Sequence, residues 1–150
     1  MSSPTAPFEF DPRLKLDEQV CFPVYALSRL VTKVYQPLLS PLGLTYPQYL
    51  VMLLLWEHQE LAVKDIGQKL LLDTGTLTPL LKLLEQRELL SRRRDPRDER
   101  SVLIKLLPAG VALHEQARQI PTQLGQRYSL THDDVALLRQ ELHHLINLLS

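Results

Sequence analysis

Between residues 89 and 107 the spacing of apolar residues changes from three-and-four to two. "LLSRRR" (89–94) and "SVLIKLL" (101–107) alternate, and Val102, Ile104 and Leu106 share one face, so both segments read as strands. "DPRDER" (95–100) joins them as a charged hairpin tip. The segments on either side have helical spacing. The pattern predicts a mainly α fold with a small β-wing.

Residues 1–13 hold three prolines and no periodicity, and read as an extended arm. Val20, Val24, Leu27, Val31, Val34 and Leu38 form the stripe of a first helix, which Pro37 and "SPLGL" (40–44) should end. Thr45 and Gln48 make a capping box for a second helix through "YLVMLLLWEH", apolar almost all round and therefore the expected buried centre. A short helix over 62–72 turns its Val63, Ile66 and Leu70 inward. After the polar turn "DTG" a helix over 76–89 does the same with Leu77, Leu80, Leu81 and Leu84. Thr76 is its expected cap, which places Pro79 in its first turn. Pro108 and Gly110 open a helix to about residue 125, and Thr131 with Asp134 caps the last. The last helix carries Val135, Leu138, Leu142, Leu145 and Leu149 as a coiled-coil-like seam.

At 150 residues the chain is expected to be one domain with a real core. Lys+Arg and Asp+Glu both number 17, so any attraction to nucleic acid must come from local charge. A single cysteine cannot close an internal disulfide, which suggests a reducing compartment. The N-terminus has no apolar signal core, and the longest apolar run, "YLVMLLLW", is far too short for a bilayer. The expectation is a soluble, cytoplasmic protein with no membrane partner.

Two short helices joined by a tight turn and followed by a β-hairpin spell a winged helix-turn-helix. The second helix must be narrow and polar outside to enter a major groove, and Thr74, Thr76, Thr78 and Lys82 are the candidates there. Threonine can bond phosphates or base edges and touch thymine methyls. The wing concentrates Arg92, Arg93, Arg94, Arg97 and Arg100, which on a thin hairpin can reach the minor groove or its phosphates. Asp95, Asp98 and Glu99 would repel DNA unless they pair with and orient those arginines. Without the helix-turn-helix before it, such a charge run would about as readily be a solvated, salt-bridged turn.

"DPRDER" matches the D-x-R-D-x-R wing signature of MarR-type regulators through Asp95, Arg97, Asp98 and Arg100. "CFPVYALSRLVTKVYQPLL", "TYPQYLVMLLLWEH", "LLLDTGTLTPLLKLLEQ" and "DERSVLIKL" together resemble the organic-hydroperoxide-sensing OhrR branch over about residues 16–120. The resemblance implies a homodimeric repressor of a pseudopalindromic, double-stranded operator, with Arg100 as the wing arginine and Asp98 bracing it. The single protomer, 1–150, would use about 45–107 for DNA and about 14–44 and 108–150 for dimerisation.

Cys21 and Tyr25 stand at i and i+4 on one helical face. Tyr35 is 14 residues from Cys21, roughly 21 Å along a continuous helix, so it could meet only another chain's Cys21. The OhrR resemblance implies that arrangement, with Tyr35 and Tyr46 of one subunit holding the other's thiolate. A thiolate attacks a peroxide O–O bond where a thiol barely does, and each phenol hydrogen bond to it is worth about 1.5–3 kcal/mol. The resemblance also implies that apolar neighbours such as Phe22, Leu27 and Trp56 favour lipophilic hydroperoxides over hydrogen peroxide. Oxidation would give a sulfenic acid. With no second cysteine, the sulfenate would condense with a small cellular thiol, form a sulfenamide or over-oxidise; the resemblance to one-cysteine relatives implies a mixed disulfide as the locked form. Pro23 departs from the family pattern and mid-helix would cost about 3 kcal/mol. The expected solution is a helix that starts or kinks near Cys21, where the N-terminal partial charge favours an anion.

Simpler readings compete. Taken alone, a lone cysteine is usually a small core residue. Tyr49 and Trp56 suit ordinary packing. His58, His114, His132, His143 and His144 lack metal-ligand spacing, so neither metal nor cofactor is expected. A MarR-type regulator released by a small aromatic ligand would leave Cys21 structural. A thiol peroxidase would need a resolving partner and usually a thioredoxin-like frame, so an enzyme is not expected.

Overall fold

The computed structural model describes residues 8–128 and 131–150, and the chain divides into two compact units between Tyr49 and Leu50. In the first unit, the described part of the expected arm has no regular structure over 8–11 and ends in a 3-10 turn at Pro12–Leu14, capped by Asp11; a second such turn follows at Leu16–Glu18. Residues 1–7 of that arm lie outside the described residues. Helix α1 spans Cys21–Leu39. It begins at the cysteine, so Pro23 falls in the first turn, where its missing N–H costs no helical bond. Pro37 does not end the helix as expected; it lies inside, and α1 continues to Leu39 before a 3-10 turn over Ser40–Leu42. Only two helical residues follow it, so the disrupted turn is the last one. Gly43 closes this connection at φ 64, a backbone setting that favours glycine. The capping box then forms as expected: Thr45 N–H donates to Gln48 Oε1 at 2.9 Å and Gln48 N–H to Thr45 Oγ1 at 3.4 Å. It starts helix α2, Tyr46–His58.

In the second unit, the α2 residues Val51, Met52 and Leu55 are fully buried, each burial worth about 1.5–3 kcal/mol. The β element is larger than the expected hairpin. Strand β1 (Glu60–Ala62) joins β2 (Leu90–Asp95) and β3 (Asp98–Leu106) in an antiparallel sheet of order β1-β3-β2. Three residues are too few to show a period of two in sequence. As the central strand, β3 buries both Leu103 and Ile104, whereas Val102 remains partly exposed, so the expected one-sided alternation fails there. The strands also run further out: Asp95 pairs with Asp98, which shrinks the expected six-residue tip to Pro96 and Arg97.

Helix α3 (Val63–Leu70) buries Ile66. Helix α4 spans Thr74–Gln86, two residues ahead of its expected start and three short of its expected end. Asp73, not Thr76, is its cap, and Pro79 is therefore an interior residue. The expected single helix from residue 108 is two, α5 (Pro108–Ala117) and α6 (Ile120–Arg127). Pro121, the second residue of α6, cannot continue a helix interior but suits a new first turn. Helix α7 (His132–Leu149) carries the full Thr131–Asp134 capping box. Among the described residues no single helix is long and apolar enough to cross a membrane, and no cluster of His, Cys, Asp and Glu could hold a metal.

Gly110 locks α5 onto the sheet. A Cβ there would strike the Leu89 carbonyl oxygen and approach Leu106 Cδ1 to 2.7 Å. The carbonyl cannot retreat freely, because it accepts Leu107 N–H at 3.0 Å. Trp56 Nε1 donates to the Gly110 carbonyl at 2.9 Å, and its ring meets His114 edge-on. Gly110→Ala should therefore destabilise the fold by about 1–3 kcal/mol and shift tryptophan fluorescence. An unchanged melting temperature would refute this packing.

Candidate nucleic-acid interface and thiol site

The path from α3 to α4 is set by two local features. Leu71 takes a left-handed conformation (φ 53), and Leu72 N–H bonds back to Gly67 O at 2.9 Å. Asp73 then accepts Thr76 N–H at 2.7 Å. That bond foremost, and the Thr76 hydroxyl next, holds the Asp73 carboxyl below its ordinary value. Leu77, Leu81 and Leu84 anchor α4 inward. At about 100° per residue, the opposite line carries Gly75, Pro79 and Gln86, with Thr76 on one flank and Thr78 and Lys82 on the other. Thr74, Thr76, Thr78 and Lys82 are all exposed, as a groove-reading face requires. Thr78 Oγ1 donates to Thr74 O at 2.8 Å.

The wing sorts its arginines into two groups. Glu85, at the end of α4, clasps Arg92: Oε1 accepts its backbone N–H at 3.1 Å and Oε2 its Nε–H at 2.7 Å. Arg93 pairs with Glu60 of β1 at 2.9 Å. These two tie the wing to the body. Sequence reasoning missed both glutamates, because each bond crosses between elements whose separation no periodicity fixes. Nearer the tip, Asp95 Oδ1 accepts Arg97 N–H at 2.9 Å, which lowers the Asp95 carboxyl. Asp98 Oδ1 accepts Arg100 N–H at 3.1 Å and lies 3.6 Å from its Nε. The Arg100 side chain remains 95% exposed. Arg94 is exposed and makes no ion pair among the described residues. The acids thus orient the tip without covering its arginines. A cleft lined by Thr74, Thr78, Arg92 and Arg100 joins helix and wing into one surface.

The thiol site has two separate parts. Cys21 is the first residue of α1 and is exposed. Tyr25, one turn on, is also exposed, with the Arg29 guanidinium 5.6 Å from its ring centre. The phenols lie elsewhere. The 3-10 turn and Gly43 return the chain so that Tyr46 packs against Tyr35 with ring centres 4.7 Å apart. Tyr49 completes the cluster, 5.7 Å from Tyr35 and 6.4 Å from Tyr46. Because α1 is unbroken from Cys21 to Leu39, Tyr35 stays roughly 21 Å from its own chain's cysteine along the axis. The structure therefore brings Tyr35 and Tyr46 together and leaves Cys21 and Tyr25 apart from them. Trp56 serves packing, through Gly110 and His114.

Burial pushes the Tyr46 hydroxyl above its ordinary value of 10.0; burial, then the neighbouring Tyr46, does the same to Tyr49. Both remain O–H donors at neutral pH. A raised phenol contributes stability that is full below pH 10 and lost as pH climbs through the folded value. Tyrosinate absorbance should show a component that ionises above pH 10 and shrinks in Tyr46→Phe and in Tyr49→Phe. Its absence from the wild type would refute the buried placement.

Residues 33–115 match the family described as transcriptional regulator SarA/Rot. The chain is 48% identical to the organic hydroperoxide resistance transcriptional regulator of Bacillus subtilis, covering 94% of this chain and 95% of that one. The structure of reduced AbfR bound to DNA superposes with a TM-score of 0.76 at 34% identity, over 91% of this chain and 96% of the other. Wild-type apo MarR from Escherichia coli gives a TM-score of 0.64 at 26% identity, over 85% and 96%. The chain belongs to the MarR/SarA family of winged helix-turn-helix proteins: it is an OhrR-like DNA-binding transcriptional regulator, not an enzyme.

Proposed function

We propose that this regulator is a homodimeric, cytoplasmic repressor whose operator binding is switched off when an organic hydroperoxide oxidises Cys21. The Tyr35–Tyr46 pair carries the reading: two phenols packed together, with Tyr35 roughly 21 Å along α1 from its own chain's cysteine. They serve the Cys21 of a second copy. The stripes of α1 and α7 support dimerisation, since Val24, Leu27, Val135, Leu138 and Leu142 are all exposed in the single chain. Within each protomer, about 45–107 would engage DNA and about 14–44 and 108–150 would dimerise. The Bacillus relative, named for organic hydroperoxide resistance, supports the signal, and AbfR, bound to DNA both reduced and overoxidised, supports DNA binding itself.

The position of Cys21 at the start of α1 suits an anion, and phenol donors across the dimer would hold the thiolate. The thiolate attacks one peroxide oxygen; an S–O bond forms as the O–O bond breaks. The leaving alkoxide takes a proton and departs as the alcohol, while sulfur is oxidised by two electrons to the sulfenic acid. A small cellular thiol then condenses with it, forming a mixed disulfide and releasing water. The modified sulfur no longer accepts the phenol bonds, and the dimer repacks so that the two α4 helices lose their register with the operator.

Mobility-shift assays test this. Cumene hydroperoxide should release operator DNA from the wild type, whereas Cys21→Ser should bind DNA and keep it under the same treatment. Equal release from both proteins would rule out Cys21 as the sensor.

A further inference from the structure

We infer that the first two turns of α4 read thymine by its 5-methyl group, through the methyls of Thr76 and Thr78 and the ring of Pro79. This rests on α4 being the recognition helix and goes further by assigning the chemistry of its specificity. The donor proton of Thr78 is used inside the helix, where its hydroxyl donates to the Thr74 carbonyl at 2.8 Å, and the backbone N–H of Thr76 is taken by Asp73 Oδ1 at 2.7 Å. The Thr78 hydroxyl thus has no proton left for a base, and each exposed threonine still presents its methyl to a partner. Pro79 has no N–H and offers ring carbons, and Gly75 has no side chain to hold the backbone away from a base. From Gly75 to Pro79 the outer face carries no Arg, Lys, Asn or Gln, the residues that grip guanine or adenine edges with two hydrogen bonds. Among the unmodified bases only thymine presents a methyl in the major groove. Charge is supplied separately, by Lys82 on the helix and by Arg94, Arg97 and Arg100 on the wing. Affinity and sequence choice thus come from different groups.

The test uses the reduced full chain. A binding duplex is selected from a random pool, and each thymine of its half-site is replaced in turn by deoxyuridine. This removes the methyl and leaves every hydrogen-bonding group in place. Fluorescence anisotropy should show one or two positions per half-site where affinity falls roughly fourfold per methyl withdrawn. Thr76→Ser or Thr78→Ser, which keeps the hydroxyl and removes the protein methyl, should erase the effect at one position. Thr76→Val, which keeps a methyl, should retain it. Equal affinity for thymine and deoxyuridine at every position overturns the inference. So does deoxyuridine sensitivity that survives in both serine variants, since the threonines would then act through hydroxyl acceptors or not at all. If the pool yields no duplex, the recognition-helix reading fails with it, and that outcome is distinct because nothing is selected.

Discussion

An unbroken helix holds one sulfur apart from two phenols, and the reading of this protein as a sensor depends on that separation. Helix α1 runs from Cys21 to Leu39 without interruption because its two prolines sit near its ends, Pro23 in the first turn and Pro37 in the last. At the other end, the turn through Gly43 folds Tyr46 back against Tyr35. One chain thus offers a thiol at one place and a pair of donors at another. Neither is a complete site. In our proposal a second copy completes both, so the sensor exists only at the junction that must move when the signal arrives. No separate relay is then needed between oxidation and the dimer interface.

The DNA-facing surface is built by opposed charges within a chain whose formal net charge is zero. Five arginines on a two-stranded projection would repel one another and splay. Instead Glu85 and Glu60 tie Arg92 and Arg93 to the helix and the first strand, while Asp95 and Asp98 turn the backbone at the tip. These pairs are partly or wholly exposed, so each adds little stability. Their effect is geometric: the clasp on Arg92 joins the end of α4 to the start of the wing and fixes the angle between two parts that would follow different grooves. Net neutrality of the chain is therefore compatible with a strongly basic edge.

Much of this was legible in the sequence. The change of spacing at residue 89 located the wing, the capping pairs Thr45–Gln48 and Thr131–Asp134 located two helix starts, and Pro23 located a third. Other features were not. β1 is three residues long and is defined only by its pairing with β3. The start of α4 was misplaced because three threonines and one aspartate compete for the cap, and the backbone path out of Leu71 decides among them. The break between α5 and α6 could have been read from Pro121. The tyrosine cluster could be anticipated only through family resemblance, since no spacing rule relates residues on either side of a turn. Glu85 and Glu60 carried no signal, because their partners are set by tertiary structure.

The most direct measurement of the central claim is a crystal structure of the reduced dimer that locates the Cys21 sulfur. The account predicts that Sγ lies within hydrogen-bonding distance of the Tyr35 and Tyr46 hydroxyls of the other subunit. A sulfur enclosed by hydrocarbon, or reached only by groups of its own chain, would contradict it.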